Sequence, residues 1–396
     1  MRSSSLTIMC LAGGLHAQSW VQLPDLPAIE RDDGSAFVIG EEVYVGTGMD
    51  GGFQLTADWY RFTPSSNSWT AVAPMPAAGR QYCATFSLNG QGYVVGGIVA
   101  GVTSSEVWKY DPPTDSWTSV APLLQPLYAA TSFAMAGYGH VVSGFLENGQ
   151  PSNIHLRYDP VTDGWSARPD LPGPGIHRAS SFVYADNAYV IGGSLLPFEA
   201  LGSTWTFDAE LGTWEGIAPL PAQRFSSDAV GVVDGGVLVG GATGGAPFVT
   251  HGEVWHYHTS SDQWQPYPSF PAGTRRSAVV AFTPPNRVYY GTGSDMAARY
   301  KDWWMLELPV TVEERDARAG FFMGPVPAQD HLILTREDPV RSAHVIIRDA
   351  TGRLIHQEPW QSGRTVLPTR TWSNGTYLLT VNDGSTQEHR RFVIQH

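Results

Sequence analysis

Cysteine is nearly missing from this chain of 396 residues, which has only Cys10 and Cys83. If the N-terminal segment is removed as argued below, Cys83 alone remains; a single cysteine makes no intrachain disulfide, so stability must come from strand packing. Lysine is as scarce, with Lys109 and Lys301 alone. Nearly all positive charge is therefore arginine, whose rigid fork favours fixed bidentate contacts over diffuse attraction. Charged residues are only 15% of the chain while aromatics are 12%, which excludes the polar excess of a disordered protein. No apolar run reaches the length of a membrane span, so no transmembrane segment is assigned. The net charge of −13 is uneven: residues 320–396 hold eight Arg against seven Asp or Glu, near +1, leaving about −14 on the rest. Such a surface repels nucleic acid and anionic membranes. A P-loop, a zinc-protease motif, a nucleophile elbow, a calcium loop and a regular series of sialidase Asp boxes are all lacking.

Repetition is what the chain has in abundance. Tryptophan returns at Trp20, Trp69, Trp117, Trp165, Trp214 and Trp264, at intervals of 49, 48, 48, 49 and 50 residues. A Pro-containing stretch follows each, as in Trp69-Thr70-Ala71-Val72-Ala73-Pro74-Met75-Pro76. A second mark closes an apolar, β-rich run with small residues: Val45-Gly46-Thr47-Gly48, Val95-Gly96-Gly97, Ile191-Gly192-Gly193, Val239-Gly240-Gly241 and Gly291-Thr292-Gly293, decaying to Val142-Ser143-Gly144 in the third unit. Glycine there permits positive φ and close backbone approach near a crowded axis. A third mark precedes the tryptophan, as in Tyr110-Asp111-Pro112-Pro113-Thr114-Asp115-Ser116-Trp117, and reads as strand, turn, strand.

A period near 50 residues suits a four-stranded blade, and residues Gln18 to Pro309 resemble the kelch repeat family. The expected fold class is all-β: a six-bladed kelch β-propeller followed by a small Ig-like β-sandwich. The last unit has its glycine mark and a third strand around Trp303-Trp304-Met305-Leu306, but Glu313 stands where the next Trp would fall. Its outer strand is expected from Ser19-Trp20-Val21-Gln22-Leu23, so that the two ends of the repeat region clasp in one blade.

Arg2, the apolar stretch Leu6 to Ala12 and the small residue Ala17 read as a signal peptide over residues 1–17, with cleavage after Ala17. The propeller is expected over 18–310, a charged linker over 311–319, and the second domain over 320–396. In that last part, short alternating strands such as Ala343 to Arg348 and Thr376 to Val381 are separated by turn signals. Pro325-Val326-Pro327-Ala328, the Asp349-Ala350-Thr351-Gly352-Arg353 turn and Asn374-Gly375-Thr376-Tyr377 resemble the type A sorting domain of proteins exported by type IX secretion in Bacteroidota; Val326 departs from the usual Asn. The resemblance implies the type IX machinery as a partner and a secreted or outer-membrane surface location.

An arginine or a substitute recurs 14 to 16 residues before each glycine mark: Arg31, Arg80, Tyr128, Arg178, Arg224 and Arg276, the last paired with Arg275. The kelch resemblance puts this point at the mouth of the central channel. Guanidinium forks there suit carboxylates or sulfates of acidic sugars or peptides. The same residues have a structural reading, in which they tie neighbouring blades through backbone carbonyls. The expected ligand is a glycan or protein loop, with no catalysis and no cofactor. The alternative is a carbohydrate-active enzyme resembling kelch-type sialic acid mutarotases, for which Glu30, His177 or Asp228 could move a proton. Copper chemistry of the galactose oxidase kind is set aside, because Cys83 beside Tyr82 comes with no ligand set. His256 and His258 share a strand face, with His251 and Glu253 nearby; the segment is read as a solvated face or turn, and no metal is assigned. The tryptophans are read as core.

Overall fold

The computed structural model describes residues 19–308 except Ala246 and, beyond them, residues 321–324, 331–336, 343–349, 353–360, 364–382 and 387–394. The expected signal peptide, the 311–319 linker and most of the Pro325 signature lie outside these described residues. Two compact units divide the chain, Met1–Val310 and Thr311–His396.

The first unit holds six four-stranded antiparallel sheets. Blade 1 runs Ser35–Ile39, Glu42–Gly46, Trp59–Thr63 and Ser68–Val72. Its second strand is buried along nearly all its length, whereas its outer strand is mostly exposed. That gradient explains the apolar runs before each glycine mark: a second strand lies between two neighbouring blades and has no solvent face. Blade 6 pairs Val279–Thr283, Arg287–Gly291 and Trp303–Glu307 with Trp20–Leu23, in the register Trp20 to Leu306 and Leu23 to Trp303. The N-terminal strand therefore completes the last blade, as the missing tryptophan implied.

Three rings of six hydrogen bonds close the propeller. In the outermost, each repeating tryptophan donates its indole Nε1–H to a carbonyl trailing the preceding blade: Trp69 to Pro24, Trp117 to Ala73, Trp165 to Ala121, Trp214 to Pro169, Trp264 to Ala218 and Trp20 to Pro268, at 2.8–3.1 Å. These rings are half-buried and each packs against a core cluster, as expected, and the mark persists for its N–H as well as its face. In the second ring, the last glycine of each mark donates to the next blade's leading residue: Gly48 to Arg80, Gly97 to Leu127, Gly144 to Ile176, Gly193 to Arg224, Gly241 to Arg275 and Gly293 to Arg31. Gly97 shows why the residue is glycine: its φ is +91°, and a Cβ there would sit 2.7 Å from the Gln81 carbonyl oxygen. The innermost ring runs Asp33 to Ser277, Ser277 to Ser226, Ser226 to Arg178, Arg178 to Ala129, Ala129 to Tyr82 and Tyr82 to Asp33, backbone N–H to carbonyl, at 2.9–3.1 Å.

The second unit is a small sandwich of a three-stranded sheet, built on Phe321–Gly324, His331–Arg336 and Arg364–Pro368, and a four-stranded sheet. The four strands are Ala343–Asp349, Leu354–Trp360, Gly375–Asn382 and Gln387–Ile394. Their inner faces share one core that includes Leu332, Val345, Ile347, Trp360, Leu379 and Phe392.

Candidate functional site at the channel mouth

The residues leading into each inner strand occupy three successive structural positions. The first, which receives the glycine N–H, is Arg31, Arg80, Leu127, Ile176, Arg224 and Arg275. The second is Asp32, Gln81, Tyr128, His177, Phe225 and Arg276. The third, which forms the innermost ring, is Asp33, Tyr82, Ala129, Arg178, Ser226 and Ser277, all at φ of +48° to +56°. Left-handed backbone at non-glycine residues costs on the order of 1 kcal/mol each, and its sixfold recurrence marks it as a property of ring closure. The arginine series read from the sequence spans all three positions. Arg31, Arg80 and Arg224 occupy the first, Tyr128 and Arg276 the second and Arg178 the third.

First-position arginines are buried and held by a carboxylate in their own blade. Arg31 grips Asp58 with both terminal nitrogens, at 2.7 and 2.9 Å. Arg80, with no exposed surface, reaches Glu106 at 2.6 Å, Arg275 meets Asp302 at 3.1 Å, and Arg224 pairs with Glu253. The hydrogen bond from Arg80 holds the Glu106 carboxyl below its usual range. Burial would raise Asp58, but the hydrogen bond and charge of Arg31 outweigh it, and its carboxyl too is held low.

Arg178 and Arg276 are placed differently. Among the described residues no carboxylate stands within ion-pair distance of Arg178. Its Nη1 lies 3.0 Å from His177 Nδ1, and its guanidinium sits over the Tyr82 ring at 4.7 Å, with Phe145 and Phe198 at 5.7 and 5.6 Å. Arg276 lies over Phe248 at 5.6 Å and 3.7 Å from Asp32, whose carboxylate already accepts from Arg299 at 2.6 Å and Ser294 at 2.7 Å. The mouth thus has two halves. Blades 3 to 5 supply an aromatic wall, in which Tyr128 stacks on Phe145 at 4.9 Å, Phe145 on His177 at 4.1 Å, and Phe198 meets Phe248 at 4.9 Å. Blades 6 and 1 supply Arg276, Arg299, Asp32 and Asp33.

Asp33, which the arginine spacing did not single out, is the titratable group of the mouth. Burial and the Asp32 charge raise its carboxyl to about 6, against the pull of Arg276, Ser277 and Arg178. Burial, with Asp33 adding to it, pushes the Tyr82 hydroxyl up to about 12. His177 is lowered to about 3, by burial first and then by Arg178, and so stays neutral. Of the other residues considered for proton transfer, Glu30 is exposed beside Gly51, and Asp228 is half-buried in the channel wall, with its carboxyl raised well above the usual range by desolvation. The channel below the mouth encloses about 200 Å³ and is lined by small and hydroxyl side chains, among them Ser35, Thr131, Ser180 and Ser227. Burial pushes the Cys83 thiol in its wall up to about 12, so no thiolate is available there at neutral pH.

His251 and Glu253 lie at the mouth end of blade 5, near Arg224. His256 is in the interior, at 1% exposure, rather than on the solvated face expected from the sequence, because its strand Val254–His258 turns that side chain against the outer strand.

The Kelch motif matches residues 79–124, and a secretion system C-terminal sorting domain matches residues 323–395. The chain is 33% identical over 88 residues to an N-acetylneuraminate epimerase of Shigella sonnei (strain Ss046), a stretch covering 20% of this chain and 23% of that protein. It thus spans about a quarter of that relative's length. A solved structure titled "Structure of YjhT" superposes with a TM-score of 0.62 at 20% identity, covering 72% of this chain and 96% of that one, a likeness of fold. The chain is therefore an all-β kelch propeller followed by a secretion system C-terminal sorting domain, which marks it for a secreted or cell-surface location.

Proposed function

We propose that the propeller is a secreted or cell-surface binding module that takes an anionic ligand, a carboxylate-bearing glycan or an acidic protein loop, at the channel mouth, without chemistry of its own. The observation that carries this reading is the contrast among the arginines: four are neutralised within their blades, whereas Arg178 has no acidic partner among the described residues and the carboxylate beside Arg276 is shared. At Arg178 an entering carboxylate would gain charge-assisted hydrogen bonds without displacing an ion pair, and at Arg276 it would compete only with the 3.7 Å contact to the shared Asp32. In this reading Arg178 and Arg276 make the anionic contact and Tyr128, with Phe145 and Phe198, holds the apolar face of the ligand. Arg31, Arg80 and Arg224 keep the mouth in shape.

Two observations favour a second reading, a carbohydrate-active enzyme of the mutarotase or epimerase kind. Asp33, at about 6, can give and take a proton near neutral pH beside two arginines, and the partial match is to an N-acetylneuraminate epimerase. The test is calorimetric titration of acidic sugars, N-acetylneuraminate first, and of acidic peptides, into the full chain and into Arg178→Ala, Arg276→Ala and Arg80→Ala. The binding reading expects affinity to fall about tenfold or more in the first two variants. It is overturned if Arg178→Ala and Arg276→Ala bind as the wild type does. Exchange spectroscopy of the sugar anomers separates the readings: accelerated exchange that Asp33→Asn abolishes establishes turnover.

A further inference from the structure

We propose that blade 5 carries a divalent transition-metal site, of the kind that takes Zn²⁺ or Cu²⁺, formed by Asp234, His256 and His258 on the propeller face opposite the arginine mouth. The placement follows from topology. Arg224 leads into the inner strand Asp228–Val232, so its hairpin to Gly235–Val239, which contains Asp234, is at the other end. The third strand, Val254–His258, runs from the mouth towards that hairpin, and residues two apart on it share a face, so His256 and His258 both reach Asp234.

The geometry is that of a ligand set. His256 Nε2 is 2.9 Å from Asp234 Oδ1, His258 Nδ1 is 3.4 Å from Asp234 Oδ2, and one ligand atom from each residue lies within 4.8 Å of the others. Ligand atoms around a tetrahedral zinc are separated by about 3.3 Å, given bonds of about 2.0–2.2 Å, so little movement would admit an ion. Both imidazoles are aimed from behind. His256 Nδ1 meets the Tyr267 hydroxyl at 2.7 Å, and His258 Nε2 meets Gln265 Oε1 at 3.1 Å. Those bonds leave His256 Nε2 and His258 Nδ1, the two atoms that converge on Asp234, as the ligating nitrogens, which is the outer-shell arrangement that orients histidine ligands. His256 is 1% exposed, while His258 and Asp234 keep a quarter to a half of their side-chain surface open, giving the ion a path from solvent and a position for water.

The feature is particular to this blade. Where His258 stands, blades 2, 3 and 4 have Asp111, Asp159 and Asp208; where His256 stands, blades 1, 2 and 3 have Arg61, Lys109 and Arg157. A pair of imidazoles facing an acid replaces the cross-strand polar contacts of the other blades. An ordinary aspartate–histidine hydrogen bond would need one histidine, not two converging on the same carboxylate.

The experiment is a Zn²⁺ titration of the full chain at pH 7.5, by calorimetry against a competing chelator. His258→Gln, Asp234→Asn and, as a control, His251→Gln at the mouth end of the blade are titrated alongside. One ion per chain is expected, with affinity falling about tenfold or more in the first two variants and unchanged in the third. Cu²⁺ bound to the wild type should show two equivalent-type nitrogen couplings in its electron paramagnetic resonance spectrum, a readout that needs no variant to fold. Absence of stoichiometric binding, unchanged affinity in His258→Gln, or a copper spectrum without two nitrogens would overturn the site.

Discussion

Blades 1, 2, 5 and 6 fasten the start of the inner strand with an ion pair, Arg31 to Asp58, Arg80 to Glu106, Arg224 to Glu253 and Arg275 to Asp302. Blades 3 and 4 have Leu127 with Ile154 and Ile176 with Ser203 at the same places, and Leu127 and Ile176 are buried. Arginine and acid are thus present or absent together. The comparison suggests that an ion pair with a buried guanidinium and a buried apolar side chain can fill the same place, in line with the small net gain of ion pairs whose charges must be desolvated. It also separates the two kinds of arginine. Most of the aromatic wall, Tyr128, Phe145, His177 and Phe198, stands in blades 3 and 4, which do without the pair, and there Arg178 occupies a position whose side chain faces the mouth.

The comparison can be broken at several points. The largest effect is expected from deleting residues 18–26, which removes the outer strand of blade 6 and the Trp20 to Pro268 bond. The propeller should melt at a markedly lower temperature in calorimetry, and melting near the wild-type temperature would sink the closure argument. Next, Arg80→Ala should destabilise the fold by about 2 kcal/mol in denaturant titration, since it strips a fully buried guanidinium from a half-exposed Glu106. Importing the blade 3 pair, Arg80→Leu with Glu106→Ile, should return stability to within about 1 kcal/mol of wild type, whereas a loss equal to that of Arg80→Ala would show that the fasteners are not interchangeable. Arg178→Ala should cost less than about 1 kcal/mol, because it breaks no ion pair among the described residues.

The smallest effect concerns pH. Folded Asp33 keeps its proton up to about pH 6, while the unfolded chain loses it near the ordinary value of 3.8. Between those values the folded state binds more protons, so this group's contribution to stability is greatest below that window and declines as pH rises through it. Asp33→Asn should flatten that slope in unfolding titrations from pH 4 to 7. Protonation also removes a negative charge from the mouth, so an anionic ligand should bind more tightly at pH 5 than at pH 8, and the variant should lose that difference.

Much of the fold could be read from residues alone, because each blade repeats the same local problem. A strand with no solvent face needs an apolar run, the turn before the tryptophan needs Asp or Pro, and the backbone meeting the next blade needs glycine. The clasp was legible for a similar reason, since a fourth strand was missing at one end and spare at the other. The site was legible only in part. Spacing located the arginines to within a residue or two, but that is the difference between a buried fastener such as Arg80 and a mouth residue such as Arg178. Asp33 gave no signal beyond standing in the pair Asp32-Asp33, and Tyr82 none beyond its neighbour Cys83.

The sequence by itself determined the number of blades, the partner of the last one and the change of architecture after the repeat, because period, strand pattern and turn chemistry are local and recur. Only the tertiary structure decided which arginines are neutralised, that Arg178 and Arg276 share the field of Asp33, and that two histidines converge on Asp234. Those relations join residues from different blades or from different strands and turns of one blade, and a shift of one position turns a side chain from the wall to the opening. Distances of that kind are set when the ring closes, and they leave no period in the chain.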